Sequence, residues 1–342
     1  MATYFPTRSE HIPRADRYHT MARNWEFSQR KIRELSSRLE SRIPDGVYTI
    51  AMAGSFGRFE ASSESDADAI IVVRDEARDE AEAVGQEAVA MLTEAISDLG
   101  IPEPNPRGVF RKARRFSELL PPEEAGELGG ADEPMDVLGK RMLMLLESRP
   151  LIATAEYETF VDAVWQRYAR YVLKEPAKEH VMLLNDLIRY FRFICINYQS
   201  SFDRENEKWP LRNVKLRHSR IIMYMGLLAL LGEASTFRDE RKSSWVRERL
   251  ALTPLERIAA VYEANNDGSF FRVAGAYETF LARISDPRLR SQLNNLDYDR
   301  RYENLTFAAL KANSDALQSE LTRFIFARRG RWSERFFEYL IF

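Results

Sequence analysis

Gly54-Ser55-Phe56-Gly57-Arg58-Phe59-Glu60, then Ala-Ser-Ser-Glu-Ser over residues 61–65, then Asp66-Ala67-Asp68, is the stretch on which the fold turns. An apolar run, VYTIAMAG (residues 47–54), leads into it with strand character. A second run, ADAIIVV (67–73), leads out of it, so nearly continuous in apolar residues that it predicts a strand buried on both faces. Side chains alternate along a strand, which puts Asp66 and Asp68 on one face. Two carboxylates on one edge repel each other unless a cation lies between them. Hard oxygens of this kind suit Mg²⁺, or Mn²⁺ in its place, together with substrate phosphates. The Gly54-Ser55 turn offers backbone N–H groups to phosphate oxygens. The expected chemistry is in-line attack on the α-phosphate of a nucleoside triphosphate held with its metal ions. The bland alternative is a turn beside a solvated Asp-x-Asp. A charge such as Asp68 inside an apolar strand is expensive on that view.

Working outward, residues 1–16 read as a polar arm and 17–42 as a charged amphipathic helix, closed by the turn signal Pro44-Asp45-Gly46. An Ala- and Glu-rich helix is expected over 75–99, stopped by Gly100 with Pro102 just beyond. A third strand is expected at Gly108–Ala113, followed by an acidic loop over 121–136. From Leu138 the pattern is helical at 138–148, 153–174, 179–200, 217–232, 241–250, 253–263, 269–284, 305–325 and 331–341, with no convincing strand. The expected division is an N-terminal arm and helix (1–45), a small α/β domain (46–137) and an α-helical domain (138–342).

Composition narrows the function classes. With 342 residues, 45% of them hydrophobic, the chain can build a large core. Fifty Lys and Arg against 52 Asp and Glu argue against a wholly basic nucleic-acid coat. The single cysteine, Cys195, excludes an internal disulfide framework, and four scattered histidines disfavour a zinc hydrolase. No signal-peptide core or membrane-length apolar run is evident, so a soluble, cytoplasmic protein is expected.

The motif resembles that of the DNA polymerase β-like nucleotidyltransferase superfamily, in which Gly-Ser precedes Asp-x-Asp by about ten residues; ten separate Ser55 from Asp66. The string GSFGRFEASSESDAD is also similar to the Gly-Ser-x-x-Arg…Ser-Asp-x-Asp form of PII uridylyltransferases, minimal nucleotidyltransferases and bacterial signal-nucleotide synthases. The resemblance covers roughly residues 47–75. It implies an α+β fold: a small mixed-sheet nucleotidyltransferase core followed by a mostly α-helical domain. It implies that Gly54 and Ser55 grip the triphosphate and that Asp66 and Asp68 are the catalytic, metal-binding pair. Arg58 would touch a phosphate or sit as a helix-surface charge, and Glu60 would pair with an arginine. The family carries a third carboxylate on a later strand. The stretch Gly108–Ala113 has none, and Asp132, Glu133 and Asp136 are the nearest candidates.

Downstream, Arg107, Arg111, Lys112, Arg114 and Arg115 form a basic cluster, suited to a triphosphate tail or nucleic acid, or neutralised by the acidic loop. Asn185, Arg189 and Arg192 share one face of an apolar helix. Helical pitch puts Arg212, Lys215 and Ser219 together, similar to the basic run after the catalytic core of uridylyltransferase-like proteins. Lys215 and Arg189 are therefore candidate nucleotide contacts, while His218 is expected to be packed. The apolar C-terminus, Arg331 to Phe342, reads as a docking helix or a contact with another copy or a partner protein. Its Tyr339 is a candidate self-modified primer. In layout the chain resembles the nucleotidyltransferase of the Hailong-type phage-defence system, which implies protein-primed synthesis in antiviral defence. The expected activity is transfer of NMP or dNMP, with pyrophosphate release, to a nucleotide, oligonucleotide or protein acceptor. The alternatives are nucleotidylation of a partner protein or small molecule, a nucleotide-binding pseudoenzyme, and a helical scaffold.

Overall fold

Alternating and continuous apolar runs produce a four-stranded mixed sheet in the N-terminal half of the chain. A computed structural model describes residues 9–75, 78–104, 109–123, 128, 130, 133–202 and 209–342. These fall into two compact units, one of Arg23–Leu173 and one of Ser9–Ala22 with Lys174–Phe342.

In the first unit the strands are β1 (Val47–Met52), β2 (Ala69–Val73), β3 (Arg114–Arg115) and β4 (Arg149–Ile152), in the order β3-β2-β1-β4. β1 is antiparallel to β2 and β4, and β2 is parallel to β3. The expected α+β core followed by helices is what the chain forms. One sheet face packs Ile50, Met52, Ile71 and Val73 into a core with Ile32, Leu35 and Leu39 of α1 (His19–Leu39). Ala88, Leu92 and Ile96 of α3 (Arg78–Asp98) join the same core, after the short α2 (Gly54–Gly57). Ala51, Ile70 and Val72 alternate to the other face and are equally buried, so β2 is covered on both sides. The rest of the unit is α4 (Phe116–Leu119), α5 (Met135–Leu146) and α6 (Thr154–Lys174).

Two expectations about strands are corrected. The third strand is only Arg114–Arg115; the residues expected to form it include a turn of 3₁₀ helix, Val109–Arg111. The helical C-terminal stretch also contains a strand, β4, whose sequence Arg-Pro-Leu-Ile hid it. Pro150 lacks an N–H and is tolerated because β4 is an edge strand, pinned to β1 by the Thr49 hydroxyl donating to the Ile152 carbonyl at 2.7 Å. The compact unit therefore runs past residue 137 to Leu173.

The second unit is helical: α7 (Val181–Phe202), α8 (Trp209–Lys215), α9 (Ile221–Ala234), α10 (Arg241–Leu250), α11 (Pro254–Ala264), α12 (Phe270–Ile284), α13 (Pro287–Asn294), α14 (Leu305–Phe326) and α15 (Glu334–Ile341). Thr253 and Glu256 form a capping box at the start of α11, and Ser9 donates to Glu256 at 2.6 Å. The C-terminal segment docks within this unit. Trp332 is buried on Gly232, where a Cβ would come within 2.3 Å of the indole, and its Nε1–H donates to Glu233 at 2.9 Å. Among the described residues no helix is long and apolar enough to cross a membrane.

Candidate active site

β1 ends at Met52, paired with Ala69 of β2, and the Ala53 N–H extends the ladder to the Asp68 carbonyl at 2.8 Å. Asp66 and Asp68 thus lie just ahead of β2, not inside it, and both are half-buried. Gly54 follows with φ +60°, a left-handed conformation that favours glycine. The Cβ that glycine lacks would lie 2.7 Å from Asp68 Oδ2, so the Asp68 carboxylate occupies the space that any other residue at 54 would fill. Ser55 is half-buried beside it. The structure therefore brings Gly54, Ser55 and Asp68 together, with Asp66 two residues away on the same approach to β2. Asp66 makes no ion pair among the described residues.

Arg58 is not a surface charge. It is 5% exposed, and its guanidinium donates from Nε to Glu60 at 2.7 Å and from Nη1 to Glu147 at 2.5 Å. The expected pairing of Glu60 with an arginine is met by Arg58 itself. Glu147, 2% exposed, lies between α5 and β4, and its second oxygen accepts the Gly54 N–H at 3.1 Å. The Gly54 amide is thus already engaged by a carboxylate, and Arg58 acts on the turn through Glu147. Gly57 completes the arrangement: a Cβ there would fall 1.9 Å from the Glu147 carbonyl oxygen. Phe59 sits at φ +57°, a strained conformation for a bulky residue, and its ring packs edge-on against Trp25 at 4.6 Å and lies 4.9 Å from the Arg149 guanidinium. Arg149 also donates to the Gly57 carbonyl at 3.2 Å.

Sequence reasoning missed Glu147 and Arg149. Their one signal was indirect: Glu147 directly follows the apolar run Met142–Leu146, and a buried Arg58 needs a second partner.

Of the carboxylates considered for a third ligand, Asp132 lies outside the described residues. Glu133 is held bidentately by Arg141 at 2.5 and 2.6 Å. Asp136 pairs with Arg114. Burial of Asp136 works against its ionisation, but the Arg114 bond and charge outweigh it and hold the carboxyl below its usual range. Among the described residues no group of three or more His, Cys, Asp or Glu is arranged to hold a metal ion.

The other candidates lie in the second unit. Arg189 pairs with Asp186 at 3.0 Å, one turn earlier on α7. Lys215 ends α8, where the helix passes into a π-helical turn, Leu216–Arg220. That turn breaks the α pitch from which Arg212, Lys215 and Ser219 were expected on one side. Ser219 is buried, and its hydroxyl donates back to the Lys215 carbonyl at 3.1 Å. His218 is packed, as expected, stacked on Phe280 at 4.5 Å. Tyr339 is half-buried on α15. Arg107 lies outside the described residues.

No curated protein matches the chain. Residues 11–117 match the family described as "Putative nucleotidyltransferase DUF294", a span that includes Gly54, Ser55, Asp66 and Asp68 and stops short of Glu147.

Proposed function

We propose that this chain is a nucleotidyltransferase, moving a nucleoside monophosphate from an NTP or dNTP to an acceptor hydroxyl. The observation that carries this reading is the left-handed Gly54, its missing side chain replaced by the Asp68 carboxylate beside Ser55. The family match over residues 11–117 supports it.

Two half-buried carboxylates, one without an ion-pair partner among the described residues, fit a magnesium or manganese ion completed by substrate oxygens. Such an ion, when bound, neutralises charge on the transferring phosphoryl group. Asp66 and Asp68 are the residues that would hold it. The Gly54-Ser55 turn holds the triphosphate, with the Ser55 hydroxyl as a hydrogen-bond donor. Arg58 and Glu147 keep the turn in shape. The acceptor oxygen forms a bond to the α-phosphorus, the bond to the bridging oxygen of the β-phosphate breaks, and pyrophosphate leaves with the electron pair. The acceptor proton passes to solvent. Residues 46–137 carry this chemistry, with Glu147 outside that span supporting the turn, and Lys215 and Arg189 of the helical unit remain candidate nucleotide or acceptor contacts. The product is a nucleotide signal or a short oligonucleotide, with Tyr339 the candidate primer.

The test is incubation of the protein with each α-³²P-labelled NTP and dNTP and Mg²⁺ or Mn²⁺, with no added acceptor. Label in an oligomer or on the protein, reduced by about 100-fold or more in Asp66→Ala/Asp68→Ala, is the expected result. Protein label lost in Tyr339→Phe identifies the primer. The engagement of Glu133 and Asp136 by arginines favours a second reading, a nucleotide-binding pseudoenzyme. Saturable triphosphate binding with no label transferred to any acceptor would establish that instead.

A further inference from the structure

The basic cluster surrounds a cavity. Its volume is about 820 Å³, within the range of small-molecule sites, and it lies between α3 and the segment 111–118. Val73, Ala81, Val89 and Ala113 form its apolar wall. Gly85 brings the helix close to that segment: a Cβ there would come within 2.8 Å of the Ala113 Cβ. The polar lining is Arg111, Lys112, Arg114 and Arg115, against Glu82, Gln86 and Glu118.

The pairings leave cations in excess. Arg111 is tied to Glu103 at 2.5 Å and to Thr93 at 2.7 Å, and Arg114 to Asp136 and, at 3.3 Å, to Glu118. The Nε donors of Arg111 and Arg114 have no acceptor among the described residues. Arg115 reaches Glu118 only at 3.7 Å. Lys112 is exposed, and its carbonyl accepts a bond from the buried Lys140. Lys140 itself registers the local field: burial first, then the charges of Arg114 and Lys112, push its pKa down to about 8, although Asp136 and Glu118 oppose them.

The cavity is not the triphosphate site. It touches β2 at Val73, five residues beyond Asp68, or roughly 17 Å along an extended strand. We propose that it is a second ligand site, for a phosphate-bearing small molecule. Lys112 and Arg115 take the phosphate, the apolar wall takes the organic portion, and Glu82 and Gln86, one turn apart on α3, accept hydrogen bonds from its hydroxyl or amino groups. A concave site with carboxylates on its lining suits a compact anion better than a polyanion backbone, which Glu82 and Glu118 would repel.

Calorimetric titration of the full chain with inorganic phosphate, pyrophosphate and AMP tests this. Asp66→Ala/Asp68→Ala serves as background, so that the outcome does not depend on the proposed transferase site. Saturable binding of at least one probe is expected to persist in that background. It is expected to weaken about tenfold or more in Lys112→Ala/Arg115→Ala, with Tm unchanged. AMP binding more tightly than phosphate would show that the organic portion is read. Absence of saturable binding, or binding indifferent to Lys112 and Arg115, would overturn the proposal. So would a single-stranded 12-mer that binds more tightly than every small probe and displaces them, which would make the cluster a nucleic-acid contact.

Discussion

Arg58 takes a full positive charge into a site where it is 5% exposed, and two carboxylates meet it there. Removing one member of such a group leaves the others buried and uncompensated, which typically costs about 3–5 kcal/mol. Arg58→Ala and Glu147→Ala are each expected to lose about that much in urea denaturation. Glu147→Gln keeps an acceptor for the Gly54 N–H and is expected to lose less. At Gly54 the expectation differs in kind. Gly54→Ala puts a methyl group 2.7 Å from Asp68 Oδ2 and forces a left-handed alanine, so label transfer is expected to fall much further than Tm. The residues that carry the proposed chemistry were legible, because Gly-Ser and Asp-x-Asp sit within fifteen positions of one another. Glu147 was not: it is 93 residues from Gly54, and no local pattern links two residues across a sheet.

At the scale of elements, titration exposes what burial has arranged. The Lys140 pKa, pushed down to about 8 from 10.5, lies below its unfolded value. Between pH 8 and 10.5 the unfolded chain therefore binds more protons, and this group makes folding more favourable as pH rises across that window, by up to about 3 kcal/mol. Lys140→Met should flatten that rise in denaturation curves taken from pH 7.5 to 10. His218 gives the acid counterpart. Burial, opposed by its bond to the Val214 carbonyl and helped by the Arg217 charge, pushes it down to about 4. Its ring also meets the Asn313 amide Nδ2 at 3.1 Å, a donor that suits a neutral Nε2. Stability from His218 is present above pH 6.5 and lost as pH falls toward 4, and His218→Gln should reduce the decline over that interval. Most helices were legible because their apolar period and end signals agree, as with Thr253-Pro254 opening α11. α13 was missed although Asp286 caps it, because its eight residues bury only Leu293. β3 was expected just ahead of its place, at Gly108–Ala113, and β4 was missed, because two residues, or four with a proline, carry too little periodicity to register.

For the whole molecule, the sheet unit is closed by β4 and α6, beyond the residues that carry the motif. A fragment of residues 23–173 is expected to fold cooperatively by circular dichroism and thermal melting, and one of 23–137, lacking β4 and Glu147, is expected not to. Cooperative melting of the shorter fragment would show that the edge strand and the Arg58–Glu147 pair are dispensable. The Glu147 clamp also has a consequence in time. During synthesis the Gly54 turn emerges early, but the carboxylate that holds Arg58 follows 89 residues later. Until then the nascent segment has no counter-charge from that side, and closing so long a loop is slow compared with forming a helix. The turn on which the proposed chemistry depends would thus be among the last parts of its unit to take shape, leaving the protein inert until its own sheet is complete.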